Sequence, residues 1–373
     1  MHALVTGGAG FIGSHLCDEL LLHGYEVTAL DSLVGQVHRK GVRPAYLSTD
    51  VDLRRADMSD PYAVRTALHN VDLVVHLAAR VGVGQSMYEF LDYMHANCVG
   101  TSVLLEALMH HDVKKLVVAS SMSVYGEGLY EDRSGNRIEQ GVKRARGQFE
   151  PFDEFGCELR PLPTPEWKRA EPGSFYALSK YVQELHCLQF GEAYKLPVTA
   201  LRFFNVYGTR QSLSNPYTGV IAIFASRLLN KRPPLIYEDG QQRRDFIHVS
   251  DVTRAIRLAL EGGADGMALN VGSGKWTTVA EIAELLAETL GLEIEPKFAG
   301  SSRAGDIRHC YADTSAATAA LGFRPSVELG QGLALLAQWL ARESADDRVA
   351  AADAELAAKG LLIRAQAAHP APR

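Results

Sequence analysis

Tyr176 and Lys180 stand four residues apart in the run Tyr176-Ala-Leu-Ser-Lys180. In a helix that spacing puts both side chains on one face, about one turn apart. An ammonium beside a phenol favours the phenolate and draws its pKa from about 10 toward neutrality. The spacing therefore predicts a general base at Tyr176 that works near neutral pH. A second run, Ser120-Ser121-Met122-Ser123-Val124-Tyr125-Gly126, follows an apolar stretch. A hydroxyl at such a strand end can hydrogen-bond the same substrate oxygen that Tyr176 deprotonates.

What receives the electrons is written near the start of the chain. A short apolar run, Ala3-Leu-Val-Thr6, leads into Gly7-Gly8-Ala9-Gly10-Phe11-Ile12-Gly13. A helical pattern follows, with Phe11, Ile12, Leu16, Leu20 and Leu21 at core spacing, and then a strand, Glu26–Leu30, ends at Asp31. Strand, glycine turn, helix, strand and acid together describe a dinucleotide cradle. Gly7 permits the tight turn, Gly10 lets backbone approach a pyrophosphate, and Gly13 lets the helix pack closely. The first-turn N–H groups at Phe11, Ile12 and Gly13, with the positive end of the helix, suit the diphosphate. Asp31 is placed to accept both ribose hydroxyls and would repel a 2′-phosphate, so NAD is expected rather than NADP.

These groups need elements to position them. Val51–Arg54 reads as a strand, about 60–69 as a helix, Val71–Leu77 as a buried strand, about 95–110 as a helix and Lys115–Ser120 as another buried strand. Repeated strand–helix units with near-continuous apolar strands predict an α/β fold, a Rossmann-type doubly wound parallel sheet. Ligands bind beyond the carboxyl ends of such strands, so Ala78–Gln85 and Ser120–Gly126 are expected to line the site. Residues 127–172 are rich in charge, Gly and Pro, with no helical or strand period, and read as a long insertion. The pattern resumes with a helix over 176–195 and a strand over Val198–Arg202. Shorter elements then lie near 218–230, 235–237, 246–248, 251–261, 268–271 and 278–290. The expected division is a cofactor domain over 1–205 and a smaller mixed α/β substrate domain over 206–342, with 235–262 returning to the first. Residues 343–373 are Ala- and charge-rich and read as a loosely attached tail.

Of 373 residues, 47% are hydrophobic and 22% charged, which excludes wholesale disorder. With 38 basic against 44 acidic residues the net charge is −6, so no polyanion-binding surface and no nucleic-acid partner are expected, although a local basic pocket is allowed. Cys17, Cys98, Cys157, Cys187 and Cys310 are scattered and odd in number, which reads as reduced thiols, with no metal site. No apolar run approaches ~18 residues, and no charged region with an apolar stretch precedes the glycine turn, so a cytoplasmic protein without membrane attachment is expected.

The ordered set TGGAGFIG (6–13), Asp31, Asp57-Met58, HLAA (76–79), Asn97, SSMSVYG (120–126), YALSK (176–180), LRFFNVYG (201–208), RRDFIHVSDV (243–252), NVGSG (270–274) and RAGDIR (303–308) covers roughly residues 1–340. It resembles the extended short-chain dehydrogenase/reductases of the nucleotide-sugar epimerase/dehydratase group. The resemblance implies that Asp57 and Met58 contact the adenine side. It places the stretch from His76 through Leu77, Ala78 and Ala79 along the pyrophosphate and ribose, and gives Lys180 the nicotinamide ribose. Ser121 matches the catalytic hydroxyl, with Ser123 a second hydroxyl that could assist or replace it. Asn205, Arg244 and Arg303 match positions that hold the diphosphate of a nucleotide sugar, a task for which guanidinium forks are suited. Val81 is expected at the substrate. A homodimer through the helices near 95–110 and 176–195 is also implied.

Members of this group begin alike: a base takes the proton of the sugar 4-hydroxyl while hydride leaves C4, giving a 4-keto sugar. A 4,6-dehydratase then needs an acid and a base, which that group carries as Asp-Glu just after the hydroxyl residue; here Met122 and Ser123 stand there. The decarboxylases usually carry a Glu near this stretch, also missing here. A 4-epimerase needs no further pair. Ala79–Met87, the long insertion and Gln211–Gly219 resemble bacterial dTDP-L-rhamnose 4-epimerases. A dTDP-L-rhamnose/dTDP-6-deoxy-L-talose substrate is therefore expected first, a UDP-hexose or UDP-uronate second, and a nucleotide-sugar 4-ketoreductase is the rival reaction. The insertion carries only Cys157, so no metal role transfers.

Overall fold

The structure is a computed structural model that describes residues 1–38, 41–144 and 148–364. Seven strands form one parallel sheet: β1 (His2–Thr6), β2 (Glu26–Asp31), β3 (Asp52–Arg55), β4 (Leu73–His76), β5 (Lys115–Ser121), β6 (Val198–Phe203) and β7 (Met267–Val271). Their order is β7-β6-β5-β4-β1-β2-β3. Strand order reverses between β1 and β4, where Thr6 is paired with His76. The crevice for a ligand opens above that point.

β4, β5 and β6 are buried along their whole length, which is why they read as unbroken apolar runs and why helices must cover both faces. On one face, α1 (Phe11–Leu22) and the helix Val249–Glu261 pack together, with Leu16 and Leu20 sharing a core with Ile256 and Ala259. On the other, α2 (Pro61–Ala67), α3 (Gly100–Leu108) and α4 (Phe175–Tyr194) bury Val64, Leu104 and Cys187. A separate core joins the helices Val220–Leu229, Val279–Thr289 and Leu329–Leu340 through Phe224, Leu286 and Leu336. Thr278 and Glu281 close a capping box on the second of these.

Two expectations are corrected. The insertion is not without strands: Leu129–Glu131 pairs antiparallel with both Arg137–Ile138 and Arg160–Leu162. Strands of two or three residues are too short to show a period of two, so composition hid them. Nor does the chain after 343 hang loosely. The helix Val349–Ala358 buries Val349, Ala352 and Leu356, a narrow stripe that an Ala-rich sequence disguises. The strand Leu362–Arg364 then pairs with Ser301–Arg303. The rest of the expected tail, 365–373, lies outside the described residues. Among the described residues no helix is long and apolar enough to cross a membrane.

Candidate active site

Gly7 adopts φ +69° and donates its N–H to Leu30 O of β2 at 2.8 Å, while Gly10 N–H donates to Gly7 O at 3.1 Å, which closes the turn between β1 and α1. A Cβ on Gly13 would lie 2.2 Å from Gly7 O, so only glycine allows the helix to start against the turn. Gly8, which sequence reasoning passed over, is as constrained: its Cβ would meet Ala29 Cβ at 2.6 Å and Val5 O at 2.8 Å. Around Gly10 the space is open apart from Gly7 O at 3.3 Å. No side chain caps α1 and no acid stands in its first turn, so the helix end with Phe11, Ile12 and Gly13 offers backbone donors and positive potential. The residues present fit a dinucleotide diphosphate. Asp31, at the end of β2, accepts N–H groups from Ala9 at 3.0 Å and Leu33 at 2.9 Å.

Beside this cradle, Ala78 lies so near Gly7 that a Cβ there would meet its nitrogen at 3.0 Å and the Leu77 carbonyl carbon at 3.2 Å. Ala78 N–H is tied to Thr6 Oγ1 at 3.2 Å. Ala79 follows on the same loop, whose next residue is held by Asn97. Asn97 lies in a π-helical turn, His95–Val99, ahead of α3. Its Oδ1 accepts from Arg80 N–H at 2.7 Å, and its amide donates to Arg80 O at 3.1 Å and Ser179 Oγ at 2.8 Å. Ser179 in turn donates to the Tyr176 carbonyl at 2.8 Å. Val81 is exposed, and its carbonyl accepts from the Tyr93 hydroxyl at 2.9 Å. Tyr93 meets Tyr176 edge to face at 6.4 Å. Asp57 accepts from Ser59 N–H and hydroxyl at 2.9 and 2.7 Å, while Met58 is buried in the core beside Gly100.

Ser121 ends β5, and Tyr176 sits in the first turn of α4, which Ser174 caps through Ala177 N–H at 3.1 Å. The Ser121 hydroxyl stands close enough to the Tyr176 phenol to act on its titration. Burial raises the Tyr176 phenol above its usual range, and the Ser121 contact pulls the other way. This reverses the expectation that Lys180 would lower it here. Lys180 is itself fully enclosed, and burial pushes its ammonium down to about 8. Its Nζ donates to Gln183 Oε1, one helical turn on. The amide nitrogen of Gln183 donates to His76 Nε2 at 2.8 Å and Thr101 Oγ1 at 2.9 Å. Burial pushes His76 down to about 3, so its ring is neutral. Accepting at Nε2, it carries its proton on Nδ1 and donates to Thr6 Oγ1 at 2.7 Å. His76, expected along the pyrophosphate and ribose, and Gln183, which no sequence motif pointed to, thus link Lys180 to the end of β1.

On the substrate side, Ser123 is buried; its N–H donates to Ser121 Oγ at 3.1 Å, and its hydroxyl faces Met122 Sδ at 3.8 Å instead of Tyr176. Asn205 donates to Asp245 O at 3.0 Å. Arg244 donates to the carbonyls of Ile307 and Arg308, the latter at 2.8 Å, and burial lowers its guanidinium from the usual range. Carbonyls alone answer its charge in these contacts, which leaves it suited to an anion. Arg303 donates to Asp306 at 2.8 Å and lies over the Tyr237 ring at 4.4 Å. A Cβ on Gly305 would approach Gly173 O at 2.9 Å, so the 303–308 loop abuts the chain leading into α4, three residues before Tyr176. Cofactor turn, Ser121–Tyr176 pair and arginines are thereby brought around one crevice. Among the described residues no group of three or more His, Cys, Asp or Glu is placed to hold a metal ion.

Comparison with known proteins agrees with this geometry. Residues 3–272 match the NAD dependent epimerase/dehydratase family. The chain is 35% identical to the dTDP-L-rhamnose 4-epimerase of Burkholderia thailandensis over 91% of its own length and 95% of that protein. Its fold is similar to the UDP-glucose 4-epimerase of Thermotoga maritima solved with UDP-glucose, with TM-score 0.76 and 33% identity, covering 92% and 99% of the two chains. It is also similar to the UDP-glucuronic acid 4-epimerase of Bacillus cereus solved with UDP-glucuronic acid and NAD, with TM-score 0.75 and 28% identity, over the same shares. With a glycine cradle, a Ser–Tyr–Lys set and these relatives, the chain belongs to the NAD dependent epimerase/dehydratase family, as an NAD-using isomerase of the nucleotide-sugar epimerase kind.

Proposed function

We propose that the protein interconverts the two C4 epimers of a nucleotide sugar, dTDP-L-rhamnose and dTDP-6-deoxy-L-talose. The observation that carries the reaction class is the hydroxyl pair Ser121–Tyr176 followed by Met122 and Ser123, with no carboxylic acid–base pair at those two positions. A site so equipped can take a proton and give it back, but has nothing at those positions for elimination of water. Bound NAD supplies a reversible acceptor for the C4 hydride. Tyr176 accepts the 4-hydroxyl proton while Ser121 holds the same oxygen, and Tyr176 returns a proton after the keto sugar presents its other face. With NAD in the cradle, Lys180 would be the residue to hold its ribose, and an ammonium beside the phenol would lower Tyr176, as the sequence spacing implies. Arg244, Arg303 and Asn205 hold the diphosphate, and Val81 borders the sugar.

The identity of the Burkholderia relative supports the deoxyhexose over the UDP-hexose and UDP-uronate readings, which the Thermotoga and Bacillus relatives support. In this reading residues 1–205 hold the cofactor and 206–342 mainly the substrate. Exposed Val99, Leu178 and Leu185 on the two expected pairing helices support a homodimer, and five unpaired cysteines support a reducing, cytoplasmic setting. The test is incubation of the purified holoenzyme, without added NADH or NADPH, with dTDP-L-rhamnose, UDP-glucose and UDP-glucuronate in turn, followed by NMR of the C4 proton. Epimer formation from the first alone is expected. Turnover of a UDP sugar in its place moves the substrate, and a requirement for stoichiometric reduced cofactor replaces epimerase by ketoreductase.

A further inference from the structure

Beyond the residues matched by the family, the last strand described, Leu362–Arg364, lies against the segment that carries Arg303. Strand Leu362–Arg364 runs antiparallel to Ser301–Arg303, with Arg303 opposite Leu362, and Ala304 N–H donates to Leu361 O at 3.0 Å. The backbone on both sides of the Arg303 side chain is therefore fixed by the C-terminal segment. That side chain is fixed by it too. The guanidinium lies 4.4 Å over the ring of Tyr237, and the Tyr237 hydroxyl donates to the Asp353 carboxylate in the helix Val349–Ala358. Burial keeps the Tyr237 phenol protonated, so it stays a donor.

The same helix is pinned at a second place. Glu355 accepts from the Tyr217 hydroxyl at 3.1 Å, and Tyr217 is hydrogen-bonded to Tyr88 at 2.7 Å. Leu356 methyls sit 3.5 Å from where a Gly84 Cβ would be, in the short helix Val83–Ser86 that follows β4. Helix and strand thus bridge the two walls of the crevice, one leading from the cofactor strand and one bearing Arg303.

We propose that the segment Val349–Arg364 is part of the substrate site, a positioning element that holds Tyr237 and Arg303 in place for the diphosphate half of a nucleotide sugar. This rests on the reading above in which Arg303 grips that diphosphate. Asp353 is the residue through which it acts, because its contact is the link between the helix and the Tyr237–Arg303 stack.

The experiment uses the full chain with its NAD. Dissociation constants for the nucleoside diphosphates dTDP and UDP are measured by calorimetry for wild type, Asp353→Ala, Asp353→Asn and Leu356→Ala, together with bound NAD and, for the sugar nucleotide turned over, KM and kcat. Loss of one hydrogen bond predicts diphosphate affinity about fivefold weaker in Asp353→Ala, KM raised by the same factor, and kcat and NAD content unchanged. Asparagine still accepts from Tyr237 and should restore affinity to near wild type, while Leu356→Ala, by loosening the helix, should show the same split as Asp353→Ala. Unchanged affinity in Asp353→Ala and Leu356→Ala overturns the proposal, as does tighter binding, which would make the segment an obstruction. A parallel fall in NAD content and kcat overturns it as well, since that is the mark of a merely structural tail. If wild type itself binds neither diphosphate, the grip assigned to Arg303 fails, and the proposal fails with it.

Discussion

The cofactor wall and the substrate wall of the crevice are held by different kinds of contact. At the cofactor wall the decisive groups are backbone: the Gly7 turn, the uncapped start of α1, and glycines whose Cβ atoms would strike Val5, Gly7 or Ala29. At the substrate wall the decisive groups are long side chains from distant segments. Arg308, fully buried, donates to Glu150 of the insertion at 2.9 Å, to Glu238 at 2.9 Å and to Asp239 at 2.7 Å. Arg144 reaches Glu238 and Asp306 O, and Glu150 also meets His309 at 2.8 Å. A backbone cradle suits a ligand shared by a whole family, whereas side-chain clamps can be exchanged without disturbing the sheet. The difference teaches that the substrate wall can vary without rebuilding the sheet, provided that a clamp and its partners change together.

The sharpest way to break this contrast is at the chemistry between the walls. Tyr176→Phe should lower turnover by roughly 10²–10⁴-fold with bound NAD unchanged, measured by NMR assay and by absorbance of extracted cofactor. Loss of NAD would mean that the cradle depends on the catalytic side chain. Next, Arg308→Met leaves Asp239 without its buried cation, and Glu238 and Glu150 with only Arg144 and His309, and should cost about 3–5 kcal/mol in urea unfolding. NAD affinity should survive, since the cradle shares no residue with that cluster. Burial works against ionised Glu150, but His309 and Arg308 hold its carboxyl down at about 2. Its stabilisation is thus complete above the ordinary glutamate range and fades as pH falls toward 2, a limb the variant should keep only in the part that His309 supports.

Lys180→Met should abolish activity yet stabilise the NAD-free protein at pH 7 by on the order of 2 kcal/mol. The folded pKa lies below the unfolded one, so the unfolded chain binds more protons between pH 8 and 10.5. The wild type therefore gains stability across that window, and the gap to the variant closes as pH rises. An equal or lower melting point at pH 7 would show that Gln183 compensates the charge. The smallest change expected is in Asp31→Ala: a shift of about tenfold, or 1.4 kcal/mol, in the NAD to NADP affinity ratio, read by cofactor titration. An unchanged ratio would mean that Asp31 serves only Ala9 and Leu33.

The cofactor wall was legible in the sequence because its parts are neighbours: Gly7 to Asp31 is one turn, one helix and one strand. Tyr176 and Lys180 were legible for the same reason. The direction of the Tyr176 shift was not, because Lys180 is drawn to Gln183, and Gln183 answers to His76 in a strand 107 residues earlier. No helical spacing reports such a partner. The arginine clamp was hidden further, since Glu150 and Arg308 are separated by 158 residues and join through strands too short to pattern. Asn205, Arg244 and Arg303 were reached through family resemblance, and what holds them lay beyond it.

The wide turn at His95–Val99 spaces Asn97 so that one amide spans the Arg80 backbone and Ser179. Such a turn contains one residue more than a regular helix would. Deleting a single residue there would restore ordinary winding and remove the wide turn from which the Asn97 amide reaches the loop it staples. The extra residue works as a spacer that sets the gap between the dinucleotide loop and the tyrosine helix, so homologues lacking it would need another bracket across that gap.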